Sequence, residues 1–322
     1  MHLVSFSTLI LLFAAFADYL IGDPWGWIHP VQVMGWIIQK VSVIVIKFRL
    51  PCWQRRLAGS ILGILLIGGS GFFGWVIVTY STMINLWFGK GIAIVLLASC
   101  FAGKSLRVAV QDVIKPLDTG DLLQARSRLS LYVGRDTDNL SQSEISRALL
   151  ETVAENAVDG VTAPLFYGIV GSFLTPGAVS LALAYKAAST LDSMIGYLRE
   201  PYKDLGWFSA QLEDRLTWVP CRLTVLTLSL LSGKPFQVWQ ICCRDGVKDP
   251  SPNSGWSEAA YAAILEVQLG GENTYKGVVT DKPLLGDGMK PISVVEINQA
   301  LSLTRSCFLV WLAIAVMLDI LL

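Results

Sequence analysis

The chain alternates long apolar runs with two polar regions, and several runs approach the ~20 residues that cross a bilayer as one helix. Runs at residues 3–21, 31–48, 57–79 and 91–110 come first, and a further run at 161–184 is broken by "LTPG", where Pro and Gly interrupt helices. That run is therefore expected as two short helices or as a hairpin dipping into the membrane. A short run at 219–232 starts at a boundary marked by Pro220 and Arg222, and "CFLVWLAIAVMLDILL" occupies 307–322. The stretch 31–48 is the weakest, because Gln39, Lys40 and Ser42 interrupt it; an interfacial amphipathic helix is its other reading. Residues 111–160 and 233–305 are polar and expected as helical connections. The pattern predicts an all-α fold: a polytopic membrane helical bundle, one integral domain over 1–322, whose polar connections form the active-site region.

Composition agrees with that class. Of 322 residues, 53% are hydrophobic and 16% charged, well below the roughly 25% charged residues of soluble domains. Lys plus Arg and Asp plus Glu balance at 25 each, so net charge points to no nucleic-acid partner and no polybasic anchor. The six cysteines include no C-x-x-C pair, so neither a zinc site nor a disulfide framework is indicated. The first run lacks a basic n-region, and is expected as a retained span. Charge by region sets a topology. Lys47, Arg49, Arg55 and Arg56 follow the second run, only Lys90 separates the third and fourth, and many charges follow the fourth. The positive-inside rule then places the N-terminus and the region from Lys104 to Asp159 on the cytoplasmic side, and "GDPWGWIHPV" on the other.

Within the first polar region, "SQSEISRALLETVAENAVDG" opens with Ser141 and Glu144 in capping-box spacing and ends at Gly160, which predicts a helix of about four turns. At ~100° per residue, Glu144, Glu151, Glu155 and Asp159 fall in one stripe and Ile145, Leu149, Val153 and Ala157 in the opposite one. Like charges four apart repel, and Arg147 is one local counter-charge. A solvated face is the bland reading. Mg²⁺ held by Glu151, Glu155 and Asp159 is the sharp one, since that ion takes carboxylate oxygens and completes its shell with water and phosphate. Spacing alone leaves the two even.

Other polar groups recur along the chain. "GRDTDN" sets Arg135, Asp136 and Asp138 in a turn-rich stretch, and "AYKAASTLDSMIGY" predicts a helix with Lys186, Ser189 and Ser193 on one side and Asp192 nearby. Lys186 either snorkels to the interface or serves a site, as ionisable residues at membrane depth commonly do. "QLEDRLTW" adds Glu213 and Asp214, and "DPSPNSGWSEA" reads as a Pro-rich turn entering a helix. His29, beside Pro30, lies near Asp18 and Asp23 without metal-ligand spacing; a structural role is usual for such a His. The P-loop, nucleophile-elbow and H-E-x-x-H motifs are absent from the sequence, so any nucleotide chemistry has to use carboxylates, Mg²⁺ and scattered Lys or Arg.

"DYLIGDPWGWIHPVQVMG", "YVGRDTDNL", "ETVAENAVDGVTAPLFYG", "AYKAASTLDSMIGY", "SPNSGWSEAAYAAILEVQLGG" and "DKPLLGDG" resemble, in order, the signatures of the CbiB (CobD) family of adenosylcobinamide-phosphate synthases, from Asp18 to about Gly288. The resemblance implies a multi-pass inner-membrane enzyme of cobalamin biosynthesis. It would join aminopropanol, as its O-phosphate or free, to the propionate carboxylate of adenosylcobyric acid, using ATP and Mg²⁺. Catalytic and metal roles would fall to Glu151, Glu155, Asp159 and Asp192, with Lys186 catalytic. Arg135, Asp136, Asn156, Ser193, Tyr197, Asp214, Asn253 and His29 would bind substrate or nucleotide. The corrinoid would dock over residues 130–160 and 233–290, with Trp207, Trp256 and Tyr197 available for stacking. The implied partners are the corrinoid, the amine, the lipid bilayer and either a second copy or other corrinoid-assembly membrane enzymes. The sequence departs from the family pattern at Ala157 (Thr in the family), Ser189 (Asn), and Glu213 and Thr217 (Asp and Asn).

Two other functions compete. A Mg²⁺-dependent membrane prenyl transferase also presents carboxylates at helical spacing, but a second aspartate-rich helix is missing from the sequence. A corrinoid permease or sensor would place its polar groups within the spans, whereas most candidates here lie in the connections.

Overall fold

The computed structural model describes residues 5–22, 29–174, 177–197 and 199–321. The helices are α1 (Phe6–Leu20), α2 (Pro30–Lys47), α3 (Cys52–Ile84), α4 (Leu86–Ala98), α5 (Gly103–Asp118), α6 (Leu122–Leu129), α7 (Gln142–Asn156), α8 (Ala163–Ser172), α9 (Ala178–Ile195), α10 (Trp207–Leu231), α11 (Pro235–Asp245), α12 (Ser254–Leu265) and α13 (Val294–Leu321). Strands β1 (Leu269–Tyr275) and β2 (Val278–Leu285) form an antiparallel hairpin. Contacts divide the chain into two compact units. Unit 1 holds Met1–Ala102, Ala163–Thr217 and Trp311–Leu322; unit 2 holds Gly103–Thr162 and Trp218–Val310.

Among the described residues, four helical stretches are long and apolar enough to cross a membrane: Pro30–Lys47, Cys52–Ile84, Leu86–Asp118 and Val294–Leu321. The interrupted second run is thus one continuous 18-residue helix. α1 is shorter, at 15 residues, and its N-cap Ser5 side chain accepts the Thr8 amide. Large apolar side chains on these helices stay exposed, among them Phe13, Trp36, Leu65, Phe72 and Phe73, as expected where the surrounding solvent is hydrocarbon. Unit 1 is built on close backbone approach. A side chain at Gly59 of α3 would lie 1.9 Å from the Leu205 carbonyl oxygen, at Gly63 2.7 Å from the Phe208 ring, and at Gly74 2.7 Å from Leu183 of α9. Small residues let membrane helices pack without an aqueous hydrophobic drive, and α3 uses its glycines in this way.

Unit 2 carries the polar connections. α5 turns Leu106, Val110, Val113 and Ile114 inward and sets Lys104, Arg107 and Asp112 on its other faces. α12 is buried nearly throughout, and its Ala259, Ala260, Ala262 and Ala263 admit close neighbours. The Thr162 hydroxyl pairs with Thr224 at 2.7 Å, and Tyr261 with Thr304 at 2.6 Å, so these buried hydroxyls are satisfied.

Four expectations shift. The run 91–110 lies within the spanning-length stretch Leu86–Asp118 but is not one unbroken helix: α4 ends at Ala98, tight turns carry Cys100 and Phe101 to the Leu97 and Ala98 carbonyls, and amphipathic α5 begins at Gly103. The run 219–232 is the second half of a 25-residue helix that starts at Trp207 and contains Pro220. Gly160 does not end the acid-bearing helix, because α7 passes into a π-helix over Ala157–Thr162. Pro164 follows immediately, and a proline clashes with the carbonyl four residues back; the wider turn, with Thr162 Oγ1 donating to the Ala157 oxygen at 3.0 Å, relieves that conflict. The fourth is the hairpin, which an all-helical reading of 233–305 missed. Its turn, Lys276–Gly277, has φ of 52° and 78°, the double positive φ of a two-residue hairpin loop. The broken run appears as α8 and α9, two short helices as expected; Thr175 and Pro176 of "LTPG", and residues 23–28 of "GDPWGWIHPV", lie outside the described residues.

Gly59→Ala is expected to lower the stability of the detergent-solubilised protein by about 1–3 kcal/mol, the usual range for overpacking. Gly68→Ala, which meets open space, should leave it unchanged. Thermal unfolding of both variants checks the assignment, and equal melting temperatures would contradict it.

Candidate active site

The acid-bearing helix is held in phase by its N-terminus. Ser141 Oγ accepts the Glu144 amide at 3.3 Å, and Glu144 accepts the Ser141 amide at 2.7 Å, a reciprocal box that satisfies two orphaned donors. Ile145, Leu149 and Val153 are fully buried, which turns the acid stripe toward the remainder of unit 2. That stripe is not uniformly solvated. Glu151 is only 2% exposed.

Its two oxygens go to different parts of the chain. One takes the Arg135 guanidinium and the other the Gly270 amide at 2.9 Å. Arg135 also donates to Asn273 Oδ1 at 2.7 Å; Arg147, from the same helix, donates to the Gly270 carbonyl, to the Glu272 carbonyl at 2.7 Å and to Asn273 Oδ1 at 3.2 Å. The register shift between Leu269 and Gly271 makes this reachable. Gly270 has φ +83°, and a Cβ there would lie 1.9 Å from the Pro283 carbonyl oxygen, so only glycine lets the backbone offer its N–H and C=O to two charged side chains.

Beside this clamp lies a second set of charges. Glu258 of α12 has no exposed surface, and neither carboxylate oxygen has a hydrogen-bond partner. Lys282 of β2 brings its ammonium to 3.8 Å. Burial, then the charges of Glu151, Glu155 and Asp249, hold the Glu258 pKa well above the usual carboxylate range against the pull of Lys282. Glu155 is also raised, first by desolvation and then by the charges of Asp249 and Glu151, while the residue stays open to solvent. Burial works to lower the Lys282 pKa, but Glu258, Glu155, Glu151 and Asp249 together raise it. Four carboxylates thus share the fields of Lys282 and Arg135.

The other expected residues have identifiable duties. Asp136 accepts the Lys276 and Gly277 amides at 3.0 and 2.7 Å and so holds the hairpin turn. The Asn156 amide donates to the Thr152 carbonyl at 2.8 Å, within its own helix. Asn253, buried at the start of α12, accepts from Arg222 at 2.8 Å; Arg222 in turn lies over Trp256, 4.5 Å from its centroid. Asp159 falls in the π-helix, half-buried. His29, Lys186, Asp192, Ser193, Tyr197 and Asp214 belong to unit 1. There His29 Nδ1 accepts the Val31 amide at 3.3 Å and caps α2. Ser193 donates to Thr190 O, and Tyr197 to Ser193 O, at 3.0 and 2.9 Å. Lys186 is a charge felt by Cys100. Asp192 and Asp214 act on Glu213, which is buried and bonded to the Thr217 hydroxyl, itself 2.9 Å from Tyr185 Oη. The two departures at Glu213 and Thr217 are therefore mutual partners, the longer acid meeting a hydroxyl.

Sequence reasoning missed Glu258, Lys282, Asp249 and Asn273. The available signal was a lone acid, Glu258, inside a run of small apolar residues. It also missed Asp245, which is 2% exposed and bonded to Arg244 at 2.6 Å, Lys248 at 2.7 Å and the Gly286 amide at 3.1 Å.

Apolar helices of spanning length, together with a polar unit that buries paired and unpaired carboxylates, define a polytopic membrane protein with a charged site in its connections. Residues 11–304 match the CobD/Cbib protein family. The chain belongs to that family. It is 56% identical over 304 residues to "Cobalamin biosynthesis protein CobD" of Synechocystis sp., covering 94% of this chain and 89% of that protein. It is 40% identical over 290 residues to "Cobalamin biosynthesis protein CbiB" of Salmonella typhimurium, covering 89% of each. The CobD of Citrobacter koseri is 39% identical over the same length. No solved structure matches the chain.

Two measurements probe the unit. Arg135→Met leaves Glu151 buried without its cation and should cost roughly 3–5 kcal/mol; adding Glu151→Leu should recover most of it in a double-mutant cycle, and equal destabilisation of single and double variants would show that the pair is not the clamp. For Asp245, burial works upward, but Arg244, Lys248 and the Gly286 amide bring the pKa down to about 2, below the ~3.9 of an unfolded Asp. Its contribution is present above about pH 4 and is lost as pH falls toward about 2. Asp245→Asn should flatten that part of the stability–pH curve, and an unchanged acid limb would refute the assignment.

Proposed function

We propose that this protein catalyses the amide-forming step of cobalamin biosynthesis in the cell's inner membrane, as an ATP- and Mg²⁺-dependent acid–amine ligase. (R)-1-Amino-2-propanol O-phosphate, or aminopropanol, is joined to the propionate carboxylate of adenosylcobyric acid, giving adenosylcobinamide phosphate when the amine is phosphorylated. The observation that carries the reading is identity of 56% and 40%, over nearly the whole chain, to relatives named for cobalamin biosynthesis.

The residues of unit 2 are compatible with Mg²⁺ in a limited way. Among the described residues, no three His, Cys, Asp or Glu side chains converge as a metal cage, and Glu151 is taken by Arg135 and Gly270. Mg²⁺ commonly needs only one or two carboxylates, with phosphate and water completing the octahedron. Glu155, open to solvent, and Asp159, four residues on, would supply them. When bound, the ion neutralises polyphosphate charge as the carboxylate is activated.

The chain's own groups have the remaining tasks. Arg135 and Arg147 keep Glu151 and the hairpin fixed, which holds the turn of helix bearing Glu155 in one orientation. Recessed carboxyls in a weakly solvated wall strengthen every charge interaction made there. The attacking amine has to shed a proton, and a carboxyl whose pKa is raised by burial, as at Glu155, is a stronger proton acceptor than an ordinary carboxylate.

Purified protein supplied with ATP, Mg²⁺ and both substrates should form the amide, detected by the mass of the product. Glu155→Gln is expected to lower kcat by at least about tenfold, a loss of 1.4 kcal/mol of transition-state stabilisation. Full turnover by that variant would remove Glu155 from the mechanism; no amide from the unaltered protein would overturn the reading.

A further inference from the structure

The strongest unexplained feature of unit 2 is Glu258. It stands on a helix whose neighbouring side chains are small and apolar, it is 0% exposed, and both of its oxygens lack a hydrogen bond. Buried carboxylates are ordinarily bonded, and an unbonded one needs an explanation. Asn273, 4% exposed in the adjoining clamp, likewise has an Nδ2 without a partner.

Charge counting says what is missing. Glu151 is matched by Arg135, and Glu258 faces Lys282, while Glu155 and Asp249 add two further carboxylates to the same field. Arg147 spends its donors on carbonyls and on Asn273. Once Glu258 is ionised, positive charge is therefore in deficit around it. The Lys282 ammonium stands at 3.8 Å, about 1 Å beyond a charge-assisted hydrogen bond, so it lends charge without a bond. The group that fits is small, cationic and rich in N–H donors. A primary ammonium has three donors and no acceptor. A divalent ion carries no N–H donors for the two unbonded Glu258 oxygens, and Mg²⁺ binding through one or two carboxylates keeps a shell of water and phosphate, so the open, solvent-reachable Glu155 suits it better than the enclosed Glu258.

We infer that Glu258, with Glu155 and Asp249 around it, seats the primary ammonium of a substrate. Resting on the amide-forming reading above, that substrate is the amine partner, and Glu258 fixes the nitrogen that becomes the amide. Two acceptor oxygens hold two of the three N–H groups and leave the nitrogen oriented, which is how positioning lowers a bimolecular barrier. The same arrangement selects for an amine over an alcohol of equal size, because a hydroxyl offers one donor and no charge.

The test uses the full-length protein in detergent and two probes, 1-amino-2-propanol O-phosphate and 1,2-propanediol phosphate, which lacks the amine. The unaltered protein should bind the first at least about tenfold more tightly than the second, one charged hydrogen bond being worth that much or more. Glu258→Gln removes the ionisable group while keeping volume, so it is expected to fold, as a matching circular dichroism spectrum would confirm. It should abolish the preference and raise KM for the amine at least about tenfold, with nucleotide affinity unchanged. Glu258→Asp, which keeps the charge, should restore part of the preference and serves if the glutamine variant does not fold. Equal binding of both probes, or a Glu258→Gln protein with the original preference, overturns the inference. The two readings fail separately. Amide formation with a KM for amine indifferent to Glu258 leaves the activity standing and removes this site; Glu258-dependent binding of the amine by a protein that forms no amide keeps the ammonium site and removes the ligase.

Discussion

A carboxylate with 2% of its surface exposed must be met by positive charge and by N–H groups, and the way Glu151 is met decides where three parts of unit 2 go. Arg135 comes from the turn-rich stretch before α7, and the Gly270 amide from the bulged start of β1. Removing Arg135 takes one of two guanidinium donors from Asn273 and leaves Arg147 as the remaining guanidinium between α7 and the hairpin. The hairpin is held a second time by Asp136 on its turn amides. Both ties act on the same short element, which fixes Lys282 on β2.

Rigidity at the clamp contrasts with the imbalance beside it. Glu151 is satisfied in charge and in geometry, whereas Glu258 has an ammonium at 3.8 Å and no hydrogen bond. A fold gains nothing in stability from a buried carboxylate without hydrogen bonds, so its persistence next to a solvent-reachable acid, Glu155, marks a place where stability has been given up for chemistry. In an acid–amine ligase that place would receive the positively charged reactant.

Much of this was legible from periodicity. The spans over 31–48 and 57–79 follow from apolar run length, and the capping box at Ser141 and Glu144 has the partners its spacing predicts. The stripe of acids on α7 was readable too, but not the fate of each acid, because Arg135 is 16 and Gly270 is 119 residues from Glu151. Local spacing holds no information about such pairings. The hairpin escaped a helical reading of 233–305 although Val278, Val279 and Thr280 are β-branched and follow Lys276–Gly277; the short run carried too little hydrophobic alternation to compete. The π-helix depends on Pro164 and Thr162 acting together, a cue visible only once the helix is known to continue past Gly160. The resemblance supplied the order of signatures and the family, while the pairing of Glu213 with Thr217 required side-chain contacts.

The ligase reading proposed above requires that ATP activate the carboxylate before the amide forms, and oxygen tracing tests that most directly. Adenosylcobyric acid carrying oxygen-18 in its reacting propionate, turned over with ATP, Mg²⁺ and the amine, should yield inorganic phosphate containing one labelled oxygen. In that sequence the carboxylate oxygen would bond to the γ-phosphorus with release of ADP, and the oxygen would depart with that phosphate when the amine nitrogen attacks the acyl carbon and loses a proton. Amide produced alongside unlabelled phosphate, or without ATP cleavage, would contradict the account.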